Sequence, residues 1–260
     1  MPVKVKVPAE NSPWAARVWG TLISMRHLLL SALMLVACHA APGGTQPGAS
    51  APAAPAEAAL KPLPLAESDW EAYDFGSSGA ITLGDGMMAL QHGERLTGNH
   101  YTGDVSKLLG PTLDQYEIQF EARFTYGHDI FVGLTFPVGH EPAPGARAVG
   151  YGQASLVLGG WGGSTCGLSC TDGADASTNI WKQSRRFEQD RWYAVRLRVD
   201  AGAVTVWLDG AELFRVPRDE VKLFALRSEV EPTAPLGFFT YGTSAELRKL
   251  AVRCSVLGTC

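Results

Sequence analysis

The segment Glu117-Ile118-Gln119-Phe120-Glu121-Ala122-Arg123-Phe124 alternates polar and apolar side chains. Successive side chains of a β-strand point to opposite faces of a sheet, whereas an amphipathic helix repeats its apolar positions about every 3.6 residues. The period of two therefore predicts a strand that buries Ile118, Phe120 and Phe124 on one face. Such a strand is typical of a protein built from two packed β-layers.

The same alternation continues through the C-terminal part of the chain. Further predicted strands are 130–136, 154–158, 193–200, 203–208, 236–241 and 246–253. Asp209-Gly210 favours a tight turn directly after 203–208. Residues 217–228 are the best helix candidate, although this segment is also compatible with a strand. Many short antiparallel strands with turn residues between them predict an all-β fold, a two-sheet sandwich or jelly roll.

The N-terminal segment has the pattern of an export signal. Met25-Arg26-His27 precedes an apolar run that ends at Cys38 and is too short to span a bilayer. Leu35-Val36-Ala37-Cys38 resembles the lipobox cut by the lipoprotein signal peptidase. We therefore expect residues 1–37 to be a lipoprotein signal peptide, with Met25 as an alternative start, and Cys38 to be lipidated. The alternative is an ordinary signal peptide whose cysteine is incidental.

Residues 38–68 are expected to form the lipidated cysteine and a flexible tether, and residues 69–260 a single sandwich domain. The tether is rich in Ala, Pro, Gly and Ser and has few large apolar side chains to bury. Because His39 rather than Asp follows the cysteine, we expect a cell-envelope protein in the outer membrane of a Gram-negative bacterium. The membrane is then a partner through the lipid anchor.

The charge of the chain argues against one class of partner. Removing residues 1–37 takes away four basic residues and one acidic residue, so the formal charge falls from −4 to −7. An acidic protein without a basic patch is a poor nucleic-acid binder. Neutral ligands fit this composition better.

The four cysteines that remain after Cys38 predict disulfides. An even number in an exported chain is typical of disulfide bonding, and four cysteines allow three pairings. We expect the local pairs Cys166–Cys170 and Cys254–Cys260. Zinc is the alternative, but neither spacing is Cys-x-x-Cys and no histidine is adjacent.

Two loops carry residues that suit a ligand or a metal. Gly159-Gly160-Trp161-Gly162-Gly163 places one indole among glycines, where the ring could stack on the apolar face of a sugar or could instead belong to the core. The oxygen-rich segment 172–179 contains Asp172 and Asp175, candidate ligands for a divalent cation such as calcium or a transition metal. A plain turn, in which Asp and Asn side chains bond their own backbone, is the alternative.

Other charged pairs are candidates for acid–base chemistry or ligand contacts. The well-marked catalytic motifs are absent from the sequence. His128-Asp129 directly precedes a buried-looking strand and could transfer a proton, although neighbouring strand residues point in opposite directions. Glu121 with Arg123, and Arg227 with Glu229, could line a groove or could form solvated ion pairs on an outer face.

The run from Glu94 to Arg253 resembles a branch of the 3-keto-disaccharide hydrolase domain family. Stretches that carry the resemblance include 129–138, Val157-Leu158-Gly159-Gly160-Trp161-Gly162-Gly163, 172–177 and Arg191-Trp192-Tyr193-Ala194-Val195-Arg196. The resemblance implies a concanavalin A-like jelly-roll β-sandwich of two antiparallel sheets. It also implies action on sugars oxidised at C3, in which a base removes the acidified proton next to the ketone.

The chain departs from the better-known members of that family at their catalytic positions. Their Asn-Ser-Gly-x-x-x-Arg strand corresponds here to Val132-Gly133-Leu134-Thr135-Phe136. Their acidic strand and late histidine have no clear equivalents. The resemblance therefore implies the fold and a carbohydrate or glycoside ligand, but not a catalytic set.

Three hypotheses about function follow. The first is a 3-keto-glycoside hydrolase or lyase that uses His128, Asp129, Glu121 and Arg123, with a divalent ion held by Asp172 and Asp175. The second is a glycan-binding module in which Trp161 and Tyr241 stack on sugar rings and Arg227 and Glu229 make polar contacts. The third is a structural surface scaffold.

Overall fold

The computed structural model of the protein describes residues 58–73, 75, 79–139 and 152–254. These residues are almost entirely in strands and loops. The strands are β1 (Lys61–Pro62), β2 (Trp70–Tyr73), β3 (Ala80–Gly84), β4 (Met87–Gln91), β5 (Leu96–Tyr101), β6 (Tyr116–Gly127), β7 (Val132–Pro137), β8 (Gln153–Gly159), β9 (Thr165–Ser169), β10 (Lys182–Ser184), β11 (Tyr193–Val199), β12 (Ala203–Leu208), β13 (Ala211–Pro217), β14 (Gly237–Tyr241) and β15 (Thr243–Cys254). The short helical segments are α1 (Ser106–Leu109) and the 3₁₀ turns Glu67–Asp69, Arg218–Glu220 and Glu231–Thr233.

The strands form two antiparallel sheets. The first, here called the β6 sheet, has the order β13-β12-β11-β6-β15-β4-β3, with β1 paired to β15. The second, the β7 sheet, has the order β10-β9-β8-β7-β14-β5-β2. Neighbours in these orders are often far apart in sequence, as in β14 between β7 and β5. The all-β, two-sheet jelly-roll sandwich predicted from the sequence is confirmed.

The core lies between the two sheets and follows from the alternation of side chains. Phe120 and Val206 from the β6 sheet and Leu134 from the β7 sheet belong to one buried cluster. The ring of Phe238 in β14 lies 5.4 Å from that of Phe120 and 5.9 Å from that of Trp70, measured between centroids. Each strand thus sends every second residue into one interior and leaves the residues between for the outer faces.

The sandwich begins before residue 69, the boundary predicted from the sequence. Lys61 and Pro62 pair with Val252 and Ala251 of β15, and Leu63 is buried in the core. The Trp70 indole N–H donates a 2.8 Å hydrogen bond to the Pro64 carbonyl. Segment 61–65 therefore belongs to the domain, because its few apolar side chains find a place beside β15.

The predicted helix over 217–228 is also wrong. Residues Arg218–Glu220 form a single 3₁₀ turn, and the chain up to the next such turn at Glu231 is irregular apart from an isolated bridge at Phe224. This long connection crosses the outer face of the β7 sheet. There Leu223 and Cys170 accept backbone hydrogen bonds from Asp172 and Ala225 respectively.

The predicted Cys166–Cys170 disulfide is wrong: both are free, buried thiols. Cys166 lies in β9 and Cys170 just after it, and four residues of extended chain span about 13 Å, roughly twice the Cα separation that a disulfide allows. Burial raises the pKa of Cys166 to about 11, and burial also raises that of Cys170. Cys254 is disulfide-bonded, but Cys260 lies outside the described residues, so their pairing stays a prediction.

Several predictions about the N-terminus fall outside the described residues. These are the signal peptide 1–37, the lipidation of Cys38 and the tether as far as residue 57. Among the residues that the structure describes, no helix is long and apolar enough to cross a bilayer.

Candidate functional site

The outer face of the β7 sheet holds a cavity of about 740 Å³. Leu156 and Leu158 of β8 point into the core, so Ser155 and Val157 point the other way and form the cavity floor. Ser155 lies opposite Ser169 of β9 in the strand register, which brings two hydroxyl groups to this floor. The buried ring of Phe239 completes the floor. The walls are made by the aromatic residues Phe75, Trp161 and Tyr241, the charged residues Arg95, Asp129, Asp175, Arg227 and Glu229, and the aliphatic residues Leu96, Ile130 and Val230.

Trp161 stands in a left-handed turn between β8 and β9. Its backbone has φ 50° and ψ 58°, and Gly159, Gly162 and Gly163 also have positive φ. Glycines populate this region freely, whereas a bulky side chain costs roughly 1–2 kcal/mol there. The indole is nevertheless 44% exposed and lines the cavity instead of joining the core. The glycines therefore shape a turn that presents the ring, and the core alternative for Trp161 is wrong.

Tyr241 is the last residue of β14. Its backbone N–H donates to the Ile130 carbonyl at 2.9 Å, and its side chain is 42% exposed. The ring of Phe239, two residues earlier, covers Gly133 so closely that a Cβ there would come within 2.2 Å of it. The cavity thus has the exposed rings of Trp161 and Tyr241 and the half-buried ring of Phe75 at its walls, and the buried ring of Phe239 in its floor.

An ion network forms the far wall of the cavity. The Arg227 guanidinium donates to both carboxylate oxygens of Glu229, at 3.3 and 3.1 Å, and to Asp175 Oδ2 at 3.0 Å. The hydrogen bond from Arg227 lowers the pKa of Glu229. Burial acts to raise the pKa of Asp175, but hydrogen bonds from Ser177 and Thr178 and the charge of Arg227 outweigh it and the pKa is lowered. Both carboxylates are therefore ionised at neutral pH, and Arg227 fixes their positions.

We expect Arg227→Gln to lower the melting temperature at pH 7 by about 1–3 °C, since partly exposed ion pairs contribute at most about 1 kcal/mol. A carboxylate whose pKa is lowered in the folded state adds stability above its ordinary pKa, and this stability is lost as pH falls through the folded-state value. The difference between variant and wild type should therefore shrink below about pH 4. Thermal unfolding as a function of pH measures both effects.

Arg186→Gln is the matched control, because it removes the same charge from an exposed arginine that has no ion pair among the described residues. Its melting temperature should follow the wild type at every pH. If the melting temperature of Arg227→Gln stayed below that of the wild type by the same amount down to pH 3, the ionic origin of the effect would be contradicted.

The loop that was a candidate metal site is held by its own hydrogen bonds. Asp172 Oδ1 accepts the backbone N–H groups of Lys222 and Leu223, at 2.8 and 2.9 Å. Asp175 Oδ1 accepts the Ser177 N–H and hydroxyl, and its other oxygen binds Arg227. Within the described residues, no group of three His, Cys, Asp or Glu side chains is placed to hold a metal ion. The geometry favours the turn over the cation site.

The structure separates the predicted acid–base residues. Asp129 lines the cavity, whereas its neighbour His128 lines a second cavity. Glu121 and Arg123 lie on the outer face of the β6 sheet, at the opposite side of the sandwich, where they form ion pairs with β15. A hydrogen bond from Lys249, and another from Arg248, lowers the pKa of Glu121. Of the four, only Asp129 is in the cavity.

The predicted sugar-binding residues, in contrast, come together. Trp161, Tyr241, Arg227 and Glu229 all line the one cavity. The cavity residues that were not predicted from the sequence include Ser155, Ser169 and Phe239 in the floor and Arg95 and Phe75 in the walls. The sequence did contain a signal for the floor. Ser155 is the polar residue of the otherwise apolar segment 154–158, and it alternates with the residues that enter the core.

Comparison with known proteins gives fold-level similarities only. No family model and no curated protein matches the chain. Among solved structures it is similar to the carbohydrate-binding module CBM66 from Bacillus subtilis, with 7% identity over 71% of this chain and 95% of that one and a TM-score of 0.45. It is also similar to a Bacillus subtilis protein of unknown function with a galectin-like fold, with 15% identity over 77% of this chain and 98% of that one and a TM-score of 0.49. A third similar structure is the VIP36 exoplasmic/lumenal domain bound to Ca²⁺ and Man3GlcNAc, with 12% identity over 75% of this chain and 87% of that one and a TM-score of 0.46.

Proposed function

We propose that this protein binds a glycan in the cavity of the β7 sheet, with Trp161 as the main stacking platform. The observation that carries the proposal is the backbone conformation and the exposure of Trp161. A bulky side chain is held in a left-handed backbone conformation and its indole is left 44% exposed at a cavity wall. Backbone strain of this kind clusters at ligand-binding positions, where the surrounding structure maintains it.

The chemistry of the walls suits a sugar. A sugar ring has an apolar face that packs on aromatic rings and a rim of hydroxyls that donate and accept hydrogen bonds. Trp161 and Tyr241 supply rings, while Asp129, Ser155 and Ser169 supply acceptors and donors. The volume of about 740 Å³ lies within the range of about 300–1,000 Å³ that is typical of small-molecule sites.

The carboxylates of the cavity favour binding over acid catalysis. A general acid at neutral pH needs a raised pKa, but the pKa values of Asp175 and Glu229 are lowered. Both are also bound to Arg227. Carboxylates held in this way serve as fixed hydrogen-bond acceptors for hydroxyl groups.

Asp129 supports one catalytic alternative. It lines the cavity and has no ion pair among the described residues, so its carboxylate could act as a base. With the resemblance to 3-keto-disaccharide hydrolases, this makes 3-keto-glycosides the substrates to test. Removal of the proton next to the ketone would then expel the glycosidic oxygen, and water would add afterwards.

One experiment separates these functions. The purified protein is screened on a glycan array, hits are titrated by calorimetry, and 3-keto-trehalose and a 3-keto-glucoside are incubated with and without divalent metal. Saturable binding without turnover supports the glycan-binding function. Turnover that is lost in Asp129→Asn assigns the enzyme instead. A protein that shows no binding and no turnover would contradict both functions.

We also propose that the sandwich is tethered to the outer membrane through lipidated Cys38. The lipobox-like sequence before Cys38 and the Ala/Pro-rich segment after it support this arrangement. Intact-mass measurement of the protein from a detergent-solubilised membrane fraction should show the mass of the acyl groups. Recovery of unacylated protein in the soluble fraction would contradict the anchor.

A further inference from the structure

A second cavity of about 480 Å³ lies beside the first and contains its own aromatic surface. The ring of Tyr126 stacks on that of His92, with 4.5 Å between centroids and 39° between planes. Tyr126 is 59% exposed, more than any other Phe, Tyr or Trp side chain in the described residues. This cavity also includes His128 and Glu94, polar groups suited to hydroxyl contacts.

The two cavities lie on opposite sides of one ridge. The residues that line the first cavity include Arg95, Asp129 and Tyr241. Their direct neighbours in the chain, Glu94, His128 and Gly242, line the second. Backbone hydrogen bonds join these segments: Gly242 N–H donates to the Arg95 carbonyl at 3.1 Å, and Tyr241 N–H to the Ile130 carbonyl at 2.9 Å. The backbone of these hydrogen-bonded segments therefore separates the two cavities.

The turn of Trp161 is adjacent to this ridge. A Cβ built on Gly163 would lie 2.9 Å from the His128 carbonyl oxygen, and one on Gly159 would lie 3.5 Å from that of Asp129. The Trp161 platform thus stands on the side of the first cavity that faces the second. The second cavity, which Tyr126 lines, is on the other side of these residues.

From this arrangement we propose that the ligand is an oligosaccharide that crosses the ridge, with one unit on Trp161 and a later unit on Tyr126. The inference rests on the proposed glycan-binding function and specifies its ligand class. A linear chain of sugars repeats the same apolar face and the same hydroxyl rim from unit to unit. Trp161 and Tyr126 offer an aromatic ring in each cavity, and Arg95 and Glu94 offer polar contacts beside them.

The test is a titration of size series of neutral gluco-oligosaccharides, from disaccharides to hexasaccharides in α-1,4 and β-1,4 linkage, against the wild type, Tyr126→Ala and Tyr126→Phe. We expect wild-type affinity to rise about five- to tenfold with chain length, the change that one additional aromatic contact typically produces. Tyr126→Ala should remove this gain and leave the affinity for the shortest ligand unchanged. Tyr126→Phe, which keeps the ring, should retain it.

The other outcomes separate the two proposals. Affinity that does not depend on length, or a length gain that survives in Tyr126→Ala, overturns the extended site and leaves the glycan-binding function intact. Binding to none of the oligosaccharides in either linkage overturns the extended gluco-oligosaccharide site. If the array of the previous section is negative as well, the proposed function fails with it.

Discussion

Replacing Trp161 by glycine is expected to weaken glycan binding by about 30-fold without unfolding the protein. An aromatic anchor at the centre of a binding site typically contributes about 2 kcal/mol or more, and each 1.4 kcal/mol is a factor of ten in affinity. Calorimetric titration of the ligand selected on the array measures the loss.

Glycine is chosen for this variant because of the backbone at Trp161. At φ 50° and ψ 58° a glycine is unstrained, which gains roughly 1–2 kcal/mol, while its greater freedom in the unfolded chain costs about 0.5–1 kcal/mol. The two effects nearly offset each other, so the free energy of unfolding should stay within about 1 kcal/mol of the wild type. Loss of binding then reflects the ring and not the fold.

Trp192→Ala is the matched control. This indole lies on the outer face of the β6 sheet, where the guanidinium groups of Arg248 and Arg123 cover it at 3.8 and 4.8 Å from the ring centroid. It is a tryptophan in contact with cations but far from the cavity, so its loss should leave ligand affinity unchanged. Unaltered binding by Trp161→Gly, or equal losses in both variants, would refute the assigned site.

The strands were predictable from the sequence because alternation is a local property. Ile118 and Phe120 are buried as the polar–apolar rhythm of 117–124 requires, and Asp209-Gly210 forms its turn with both residues at positive φ. The disulfide prediction failed for a related reason. Cys166 and Cys170 were considered as close in sequence, but the strand that contains Cys166 holds them apart.

The site was predictable only where its signal is local. The glycines around Trp161 indicate a turn that exposes the ring. His128 and Asp129 line different cavities, but they lie in a bend after β6 and not on a strand, so strand alternation does not explain their separation. The contact between Asp175 and Arg227 joins residues 52 positions apart and depends on how a long irregular loop crosses the sheet. Which of two sheets carries the cavity is likewise decided by the pairing of distant strands.

Phe238→Ala is expected to lower the free energy of unfolding by about 3–5 kcal/mol, the usual cost of removing a buried phenylalanine ring. Phe238 is 1% exposed and belongs to the β7 sheet, but its ring contacts Phe120 of the β6 sheet and Trp70. Its loss opens a void between the two layers at the point where they meet. Equilibrium unfolding in urea should show a lower midpoint with an unchanged slope.

Phe238→Leu and Tyr126→Ala complete this experiment. Leucine keeps much of the buried volume, so Phe238→Leu should recover most of the lost stability. Tyr126→Ala removes an aromatic side chain that is 59% exposed, and its unfolding free energy should remain near that of the wild type. Because Phe238 directly precedes the cavity residue Phe239 on β14, a small effect of Phe238→Ala would mean that the alternation on this strand is inverted. Both the core and the cavity floor would then be misassigned, since each depends on that same alternation.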